Sequence, residues 1–286
     1  MAELPGWDFN AAKAEASRVW NEELGRIDVK DTDVIKLTNF YTALYHTAIV
    51  PNINMDVDRK YRGMDDKIHT AEDFDYYSVF SLWDTYRAAH PLYTIIDQKR
   101  TLDYIKTFLA HYRQGGRLPV WELASCETDC MIGYHSIPVI VDAYMKGIRD
   151  FDANLALEAM KISANWNHLG LPAYISNGVI AVEDEHESVS KTLEYAYDDW
   201  CIAIFARELG KLDDYNVYMQ RAQYYRNLYD KKTGFMRPRK NGGWLSPFEP
   251  REVNNHFTEA NSWQYSFYMP HDINGYMRMI GGPKKL

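Results

Sequence analysis

The sequence predicts an all-α protein in which paired helices ring a central pocket. Three observations carry that prediction. Nine stretches repeat apolar residues at three- and four-residue spacing, Gly, Pro and Asn/Asp clusters separate them, and strand-like alternation is scarce. At 286 residues the chain is long enough to bury a sizeable core. It shows no composition break, low-complexity linker or 20–50-residue period, so residues 1–286 read as part of one domain and not as a solenoid. Short connections imply antiparallel neighbours, with aromatic and apolar helices inside and charged ones outside. A closed ring of six hairpins needs twelve helices, and nine leave it open.

Asp8 caps a first helix over residues 8–27, with Ala12, Ala16, Val19 and Leu24 as its apolar stripe. A second spans residues 32–50 and stops at Pro51. Residues 51–69 have no steady period. Asn52, Asn54, Asp56 and Asp58 resemble the start of a calcium loop, but the glycine falls at Gly63 and no Glu closes it, which leaves a solvated turn or short hairpin. Residues 72–90 read as a helix ended by Pro91, and residues 92–113 as another ended by Gly115 and Gly116. Residues 117–129 run as loop or short strand. Residues 131–148 are apolar almost all round, a buried helix in which Pro138 marks a kink or a later start. Residues 152–165 are helical, and residues 170–182 are loop with a β-like end. The longest helix covers residues 188–209 and closes at Gly210; residues 212–229 follow. A Gly/Pro-rich loop then leads to residues 254–272, whose helix opens with Thr258 as N-cap and ends at Gly281, Gly282 and Pro283.

Lys and Arg number 32 against 40 Asp and Glu, a net charge of −8 with no basic patch, which argues against nucleic acid or an anionic membrane as partner. No apolar run approaches the ~18 residues that cross a bilayer. The opening MAELPGWDF lacks the pattern of a signal peptide. Cys126, Cys130 and Cys201 supply no disulfide framework. With His135, the first two lack a fourth ligand and a usual zinc spacing, so buried thiols fit better. Aromatic residues reach 14%, which suits sugar faces and ordinary cores alike.

Four places gather polar groups among aromatics. In FSLWDTYR, Trp83 suits the apolar face of a sugar ring and Asp84 its hydroxyls; Asp84 and Arg87 equally form an i,i+3 helix pair. In WELASCETDCMIGYH, Glu122, Glu127, Asp129 and His135 lie on a loop feeding a buried helix, with Asp129 as an alternative helix cap. In TLEYAYDDWC, Glu194 and Asp198 share one face at i,i+4 and repel. A ligand or cation between them relieves this, as does Lys191 beside Glu194. In FTEANSWQYSFYMPHD, Glu259 opens a helix with Trp263 four residues on, a carboxyl against an indole that suits a proton donor to a glycosidic bond. The alternative is an amphipathic helix whose Glu only complements the dipole. A helix start favours the carboxylate form, so a donor role depends on burial against Trp263 and Tyr265. His256 and His271 lack metal-ligand spacing, and no Ser–His–Asp signature, P-loop or dinucleotide fingerprint occurs.

Taken in order, PGWDF, WNEEL, FYTALYHTAIVPN, YRGMD, FSLWDTYRAAHPL, CMIGYHSIPVIVDAYMKGI, TLEYAYDDWCIA, GFMRPR and FTEANSWQYSFYMPHD resemble glycoside hydrolase family 92, the exo-acting α-mannosidases, along essentially the whole chain. The resemblance implies an (α/α)6 toroid packed on an N-terminal β-sandwich, and calcium-dependent hydrolysis with inversion at the anomeric carbon. It implies Glu259 as general acid, Asp84 gripping the terminal mannose, and Trp83, Arg87, Glu194, Asp198, Asp199, Trp263, His271 and Asp272 around the pocket. Mannose-containing glycans, α-1,2-linked ones among them, follow as ligands, and a secreted, periplasmic or cell-surface location for the full-length bacterial protein. The family pattern continues into N-E-P and D-E-D motifs, whose aspartates supply the general base and whose region holds much of the calcium site. Neither motif is in this sequence, nor is the sandwich. The chain therefore reads as an incomplete toroid without its last helices, with no secure metal ligand and inactive by itself. The alternatives are another (α/α)6 glycosidase acting on glucosides and a non-catalytic glycan-binding module. Oligomeric state is not legible.

Overall fold

The structure, a computed structural model, describes residues 6–285. Helix α1 (Phe9–Leu24) starts as expected, the Asp8 carboxylate accepting from the amides of Asn10 and Ala11. Its apolar stripe, however, buries nothing within the described residues. Helix α2 (Val34–Thr47), shorter than the expected 32–50, is capped by Asp33 and buries only Leu44. Polar ties hold this hairpin to the body: Arg100 grips Glu23 at 2.6 and 2.8 Å, Arg26 reaches Asp97 at 2.9 Å, and the Tyr93 hydroxyl donates to the Thr47 carbonyl.

Short strands β1 (Asn52–Ile53), β2 (Lys60–Arg62), β3 (Ile68–Thr70) and β4 (Tyr77–Ser78) pair antiparallel as β1–β4 and β2–β3. Strand β5 (Phe80–Ser81) joins the later β6 (Trp121–Leu123) and β7 (Cys126–Glu127) in a three-stranded sheet. The helix expected over residues 72–90 is therefore not formed. Tyr77–Ser78 and Phe80–Ser81 take the pleated form that aromatic side chains favour, and Val79 between them breaks the pleat at φ +71. Only α3 (Leu82–Thr85) and α4 (Ala89–Ile96) remain helical there. Pro91 does not stop a helix but sits in the first turn of α4, where the amide it lacks has no carbonyl to meet. Asp97 ends α4 and caps α5 (Gln98–Gly115) through the Arg100 amide at 3.0 Å, so residues 92–113 are not one helix.

Helix α6 (Ser136–Met145) begins late, with Pro138 in its first turn. Helix α7 (Ala153–Ser163) is capped by Asp152 as expected. Residues expected as loop contain α8 (Leu171–Asn177), with Pro172 in its first turn between Gly170 and Gly178, both at positive φ. The β-like end is present as the Val182 amide bonded to the Arg239 carbonyl at 2.9 Å.

Helix α9 (Ser188–Glu208) is the axis of the molecule, buried on nearly all sides. It packs against α6, α7 and α10 (Leu212–Arg221), which gives way to a 3-10 turn at Tyr224–Leu228. Its C-terminal half, with Ile202, Ala203 and Phe205, belongs to one apolar core. Its N-terminal half, with Val189 and Leu193, belongs to a second that holds the last helices. Fully burying each such large side chain contributes roughly 1.5–3 kcal/mol. The single helix expected from Thr258 is two. Asn261 opens α11 (Ser262–Tyr265) with a capping box to Gln264, and Asp272 opens α12 (Ile273–Ile280) beyond Pro270.

The Asp97 junction is testable. Asp97→Ala should lower the unfolding free energy by about 1–2 kcal/mol, and Asp97→Asn less, because Asn still caps. Equal urea midpoints for the wild type and both variants would show that the junction does not depend on this carboxylate.

Candidate active site

Helix α9 carries Glu194, Asp198 and Asp199 into the interior, all fully buried. Glu194 collects donors from three distant segments: Trp83 Nε1 at 3.0 Å and Arg87 Nη2 at 3.5 Å, the Tyr265 hydroxyl at 3.1 Å, and His135 Nε2 at 2.5 Å. Asp198 accepts from His135 Nδ1 at 2.8 Å and the Tyr134 amide at 2.9 Å. The group relieving the two like charges is thus an imidazole from the loop before α6. It is not Lys191, which pairs with Glu185 at 3.2 Å. Burial alone would lower the His135 pKa, but the Asp198 charge and the hydrogen bonds to Asp198 and Glu194 outweigh it and raise it to about 9. Burial raises Asp198 against the pull of His135.

The loop is shaped to deliver that ring. His135 stacks on Tyr86, centroids 4.1 Å apart and 16° between planes. Gly133 sits at φ +83, and a Cβ there would fall 2.2 Å from His135 Nε2. Upstream, Ala124 and Ser125 both take positive φ in the two-residue turn between β6 and β7. The buried Glu122 carboxylate accepts from the Ser125 amide at 2.5 Å, the Ser78 hydroxyl at 3.1 Å and the Val79 amide at 3.2 Å. Burial lifts its pKa to about 7 against those donors.

Around the Glu194 hub, the Arg87 guanidinium lies over Tyr86, Trp83 and Tyr268 at 4.8, 5.3 and 5.6 Å. Trp83 is partly buried and its neighbour Asp84 is exposed, accepting from the Ser81 hydroxyl. Glu259 is also exposed, at φ +49, just before α11. The segment carrying it is pinned to α9. The Val189 amide donates to the His256 carbonyl at 3.2 Å, and the Thr258 amide to Ser190 Oγ at 2.8 Å, one helical turn before Glu194. The expected burial of Glu259 against Trp263 and Tyr265 is not found, because the helix begins at Asn261. Tyr265 turns inward to Glu194, while Trp263 lies 46% exposed on the other side, edge-on to Phe235 at 4.8 Å.

Three further residues expected at the pocket serve inside the fold. Asp199 accepts from Tyr134 Oη at 2.9 Å, Tyr174 Oη at 3.0 Å and Arg221 Nε at 2.8 Å, a strut between α8, α9 and α10. Burial lifts its pKa to about 6 despite Arg221. Asp272 caps α12 at Gly275 and accepts from Tyr225 Oη at 2.9 Å and Arg226 Nη2 at 2.8 Å. His271 Nε2 bonds the Ala222 carbonyl at 2.8 Å among Tyr197, Trp200 and Tyr225, and burial lowers its pKa. Of the cysteines only Cys201 is buried; Cys126 and Cys130 are exposed, and His135 is engaged elsewhere. Among the described residues no group of three or more His, Cys, Asp or Glu could hold a metal ion. These residues do not fit the expected calcium, and no step below runs through it.

Fold and motifs together define a helical glycoside hydrolase domain. The chain belongs to glycosyl hydrolase family 92, whose catalytic-domain profile matches residues 1–286. Its structure is similar to that of a family GH92 alpha-mannosidase from Bacteroides thetaiotaomicron, at 43% identity and a TM-score of 0.93, over 98% of this chain and 38% of that one. The same enzyme in complex with mannoimidazole gives a TM-score of 0.93 at 42% identity, again over 98% of this chain and 38% of that one. A family GH92 inverting mannosidase from that bacterium matches at 34% identity and 0.91, over 98% of this chain and 40% of that one. An uncharacterized secreted glycosidase of Arthroderma benhamiae is 28% identical over 99% of this chain and 38% of its own length. The chain thus spans 38–40% of the length of these relatives.

The Glu122 staple predicts a pH dependence. Its folded pKa lies above the unfolded value, so its contribution is complete below about pH 4.5 and is lost as pH rises through about 7. Between pH 5 and 8 the wild type should lose up to about 3 kcal/mol relative to Glu122→Gln. Parallel stability curves for the two would remove the buried carboxyl as the cause.

Proposed function

We propose that this chain is the central part of the catalytic domain of an inverting exo-α-mannosidase acting on mannose-rich glycans, α-1,2-linked ones among them. The observation that carries the reading is the Glu194 hub. It ties the segment bearing Asp84 to the segment bearing Glu259, and leaves both of those carboxylates exposed. Family membership and the likeness to an α-mannosidase structure with mannoimidazole support it.

In this reading Trp83, its indole N–H fixed on Glu194, offers a ring face to the terminal mannose, and Asp84 accepts from the sugar hydroxyls. Glu259, exposed here and covered in this reading by the bound glycan and the rest of the enzyme rather than by Trp263 and Tyr265, gives its proton to the glycosidic oxygen as the bond from C1 breaks. Water adds to C1 from the opposite face and loses a proton to a base about 6.5–9.5 Å from the acid. That base, and the calcium ligands, we assign to parts of the enzyme outside this sequence, so the 286-residue chain alone releases no mannose. An (α/α)6 toroid completed by further helices accounts for α1 and α2, which leave Trp7, Phe9, Val34 and Ile35 more than two-thirds exposed. A secreted or surface location and glycan partners complete the proposal. The net charge of −8 argues against nucleic acid, and no helix of the described residues is long and apolar enough to cross a membrane.

In the full-length enzyme, Glu259→Gln should cut release of mannose from an α-1,2-linked disaccharide by about 100-fold or more. The loss should be far smaller on an aryl mannoside whose phenol leaves unprotonated. The melting temperature should stay unchanged, because the Glu259 carboxylate has no hydrogen bond or ion pair among the described residues. Equal losses on both substrates would dismiss Glu259 as the acid.

A further inference from the structure

Among the described residues His135 is the one side chain hydrogen-bonded to both Glu194 and Asp198. A neutral imidazole has one donor and one acceptor nitrogen. Here both nitrogens face carboxylate oxygens, at 2.5 and 2.8 Å, so either neutral tautomer would aim a lone pair at an anion. The other oxygen of each acid is taken. Glu194 Oε1 holds Trp83 and Tyr265, and Asp198 Oδ2 holds the Tyr134 amide. The remaining groups facing the ring are phenols, Tyr86 stacked on it and Tyr268 bonded to Tyr86, and the Arg87 guanidinium. Arg87 reaches only Glu194, at 3.5 Å, and its side chain is 43% exposed. With both acids ionised, the one buried counter-charge between them is this ring.

We propose that His135, with both ring nitrogens protonated, is a positioning residue that holds the Glu194 carboxylate where Oε1 can fix the indole of Trp83, and so sets the sugar-stacking face beside Asp84. The sugar half of this inference rests on the function proposed above; the ionic half does not. A neutral ring, or a neutral amide in its place, leaves Glu194 and Asp198 facing each other without a counter-charge. Glu194 then turns away and releases Trp83.

The test uses nitrogen-15 NMR of the histidine rings and tryptophan indoles in the 286-residue chain, with the Trp83 signal assigned by Trp83→Phe. Both His135 nitrogens should report as protonated at pH 7. The Trp83 indole resonance should move with the His135 signals when they titrate, near pH 9. In His135→Gln the Trp83 N–H should exchange rapidly with solvent at pH 7 while the α9 amides keep their shifts. A neutral-ring pattern at pH 7, or a Trp83 resonance indifferent to the His135 titration, overturns the proposal, and neither measurement needs a His135 variant to fold. In the full-length enzyme, His135→Gln should raise KM about tenfold or more, the scale of losing a hydrogen bond to a charged group, with kcat much less affected. Mannoimidazole affinity of the wild type should fall as pH rises through about 9, and that fall should be absent in His135→Gln. A fall in kcat alone would overturn the positioning role. If the wild-type enzyme releases no mannose, the proposed function fails while the resonances still decide His135.

Discussion

Two carboxylates one helical turn apart cannot both sit ionised in a dry interior without a counter-charge. Each ion removed from water costs several kcal/mol, and their mutual repulsion adds to that. The fold answers by threading an imidazole between Glu194 and Asp198, and much of the surrounding geometry follows from this choice. The ring needs space at residue 133, which only glycine leaves. It needs a flat partner, which Tyr86 provides, and so fixes where the short helix α3 ends. It needs a loop that turns sharply before α6, and Asp129, Met131 and Gly133 all take positive φ there. That backbone is held by the Glu127 carboxylate, which accepts from the amides of Val120, Trp121 and Asp129.

The acidic residues then separate into two kinds by how completely their oxygens are used. Asp199 accepts from two phenols and a guanidinium, and Asp272 from a phenol, a guanidinium and an amide, so anything that displaced those donors would undo a helix contact or a cap. Asp84 and Glu259 are exposed and nearly unengaged, which leaves a carboxylate free to accept from a hydroxyl and a protonated carboxyl free to donate to an ether oxygen. Glu194 stands between the two kinds. It is wholly buried like the structural acids, yet its partners are the side chains that flank the exposed ones.

What could be read from the sequence was local. Asp8, Asp152 and the run of α9 lie where cap chemistry and helical spacing put them, because those signals act within one turn. Spacing also pointed to a ligand or a cation between Glu194 and Asp198, with Lys191 beside Glu194 as the alternative. It could not name His135, which comes from 59 residues upstream and meets them only through the packing of α6 on α9. The same limit explains residues 72–90. Their helical period was genuine, but the aromatic run pairs with strands 24 to 42 positions away, and tertiary pairing overrides a local preference. At Glu259 the error was three residues long. Thr258 and Asn261 are both good caps, and only Asn261 finds a Gln at the third position to close a capping box.

The two ends of the chain are held by different forces, and this bears on how the site survives. Every segment of the Glu194 hub is bound to α9, which is itself buried in two apolar cores, so hub geometry is set by packing that is hard to loosen. Helices α1 and α2 hang instead on ion pairs such as Glu23–Arg100, whose side chains keep about a fifth of their exposure. Such partly solvated pairs contribute about 0–1 kcal/mol each and weaken with salt. The outer hairpin can therefore shift or be covered by other structure while Trp83, His135 and Tyr265 keep their places. The proposed function calls for that division: an anchored inner face to hold a sugar ring, and an outer layer free to accept its neighbours.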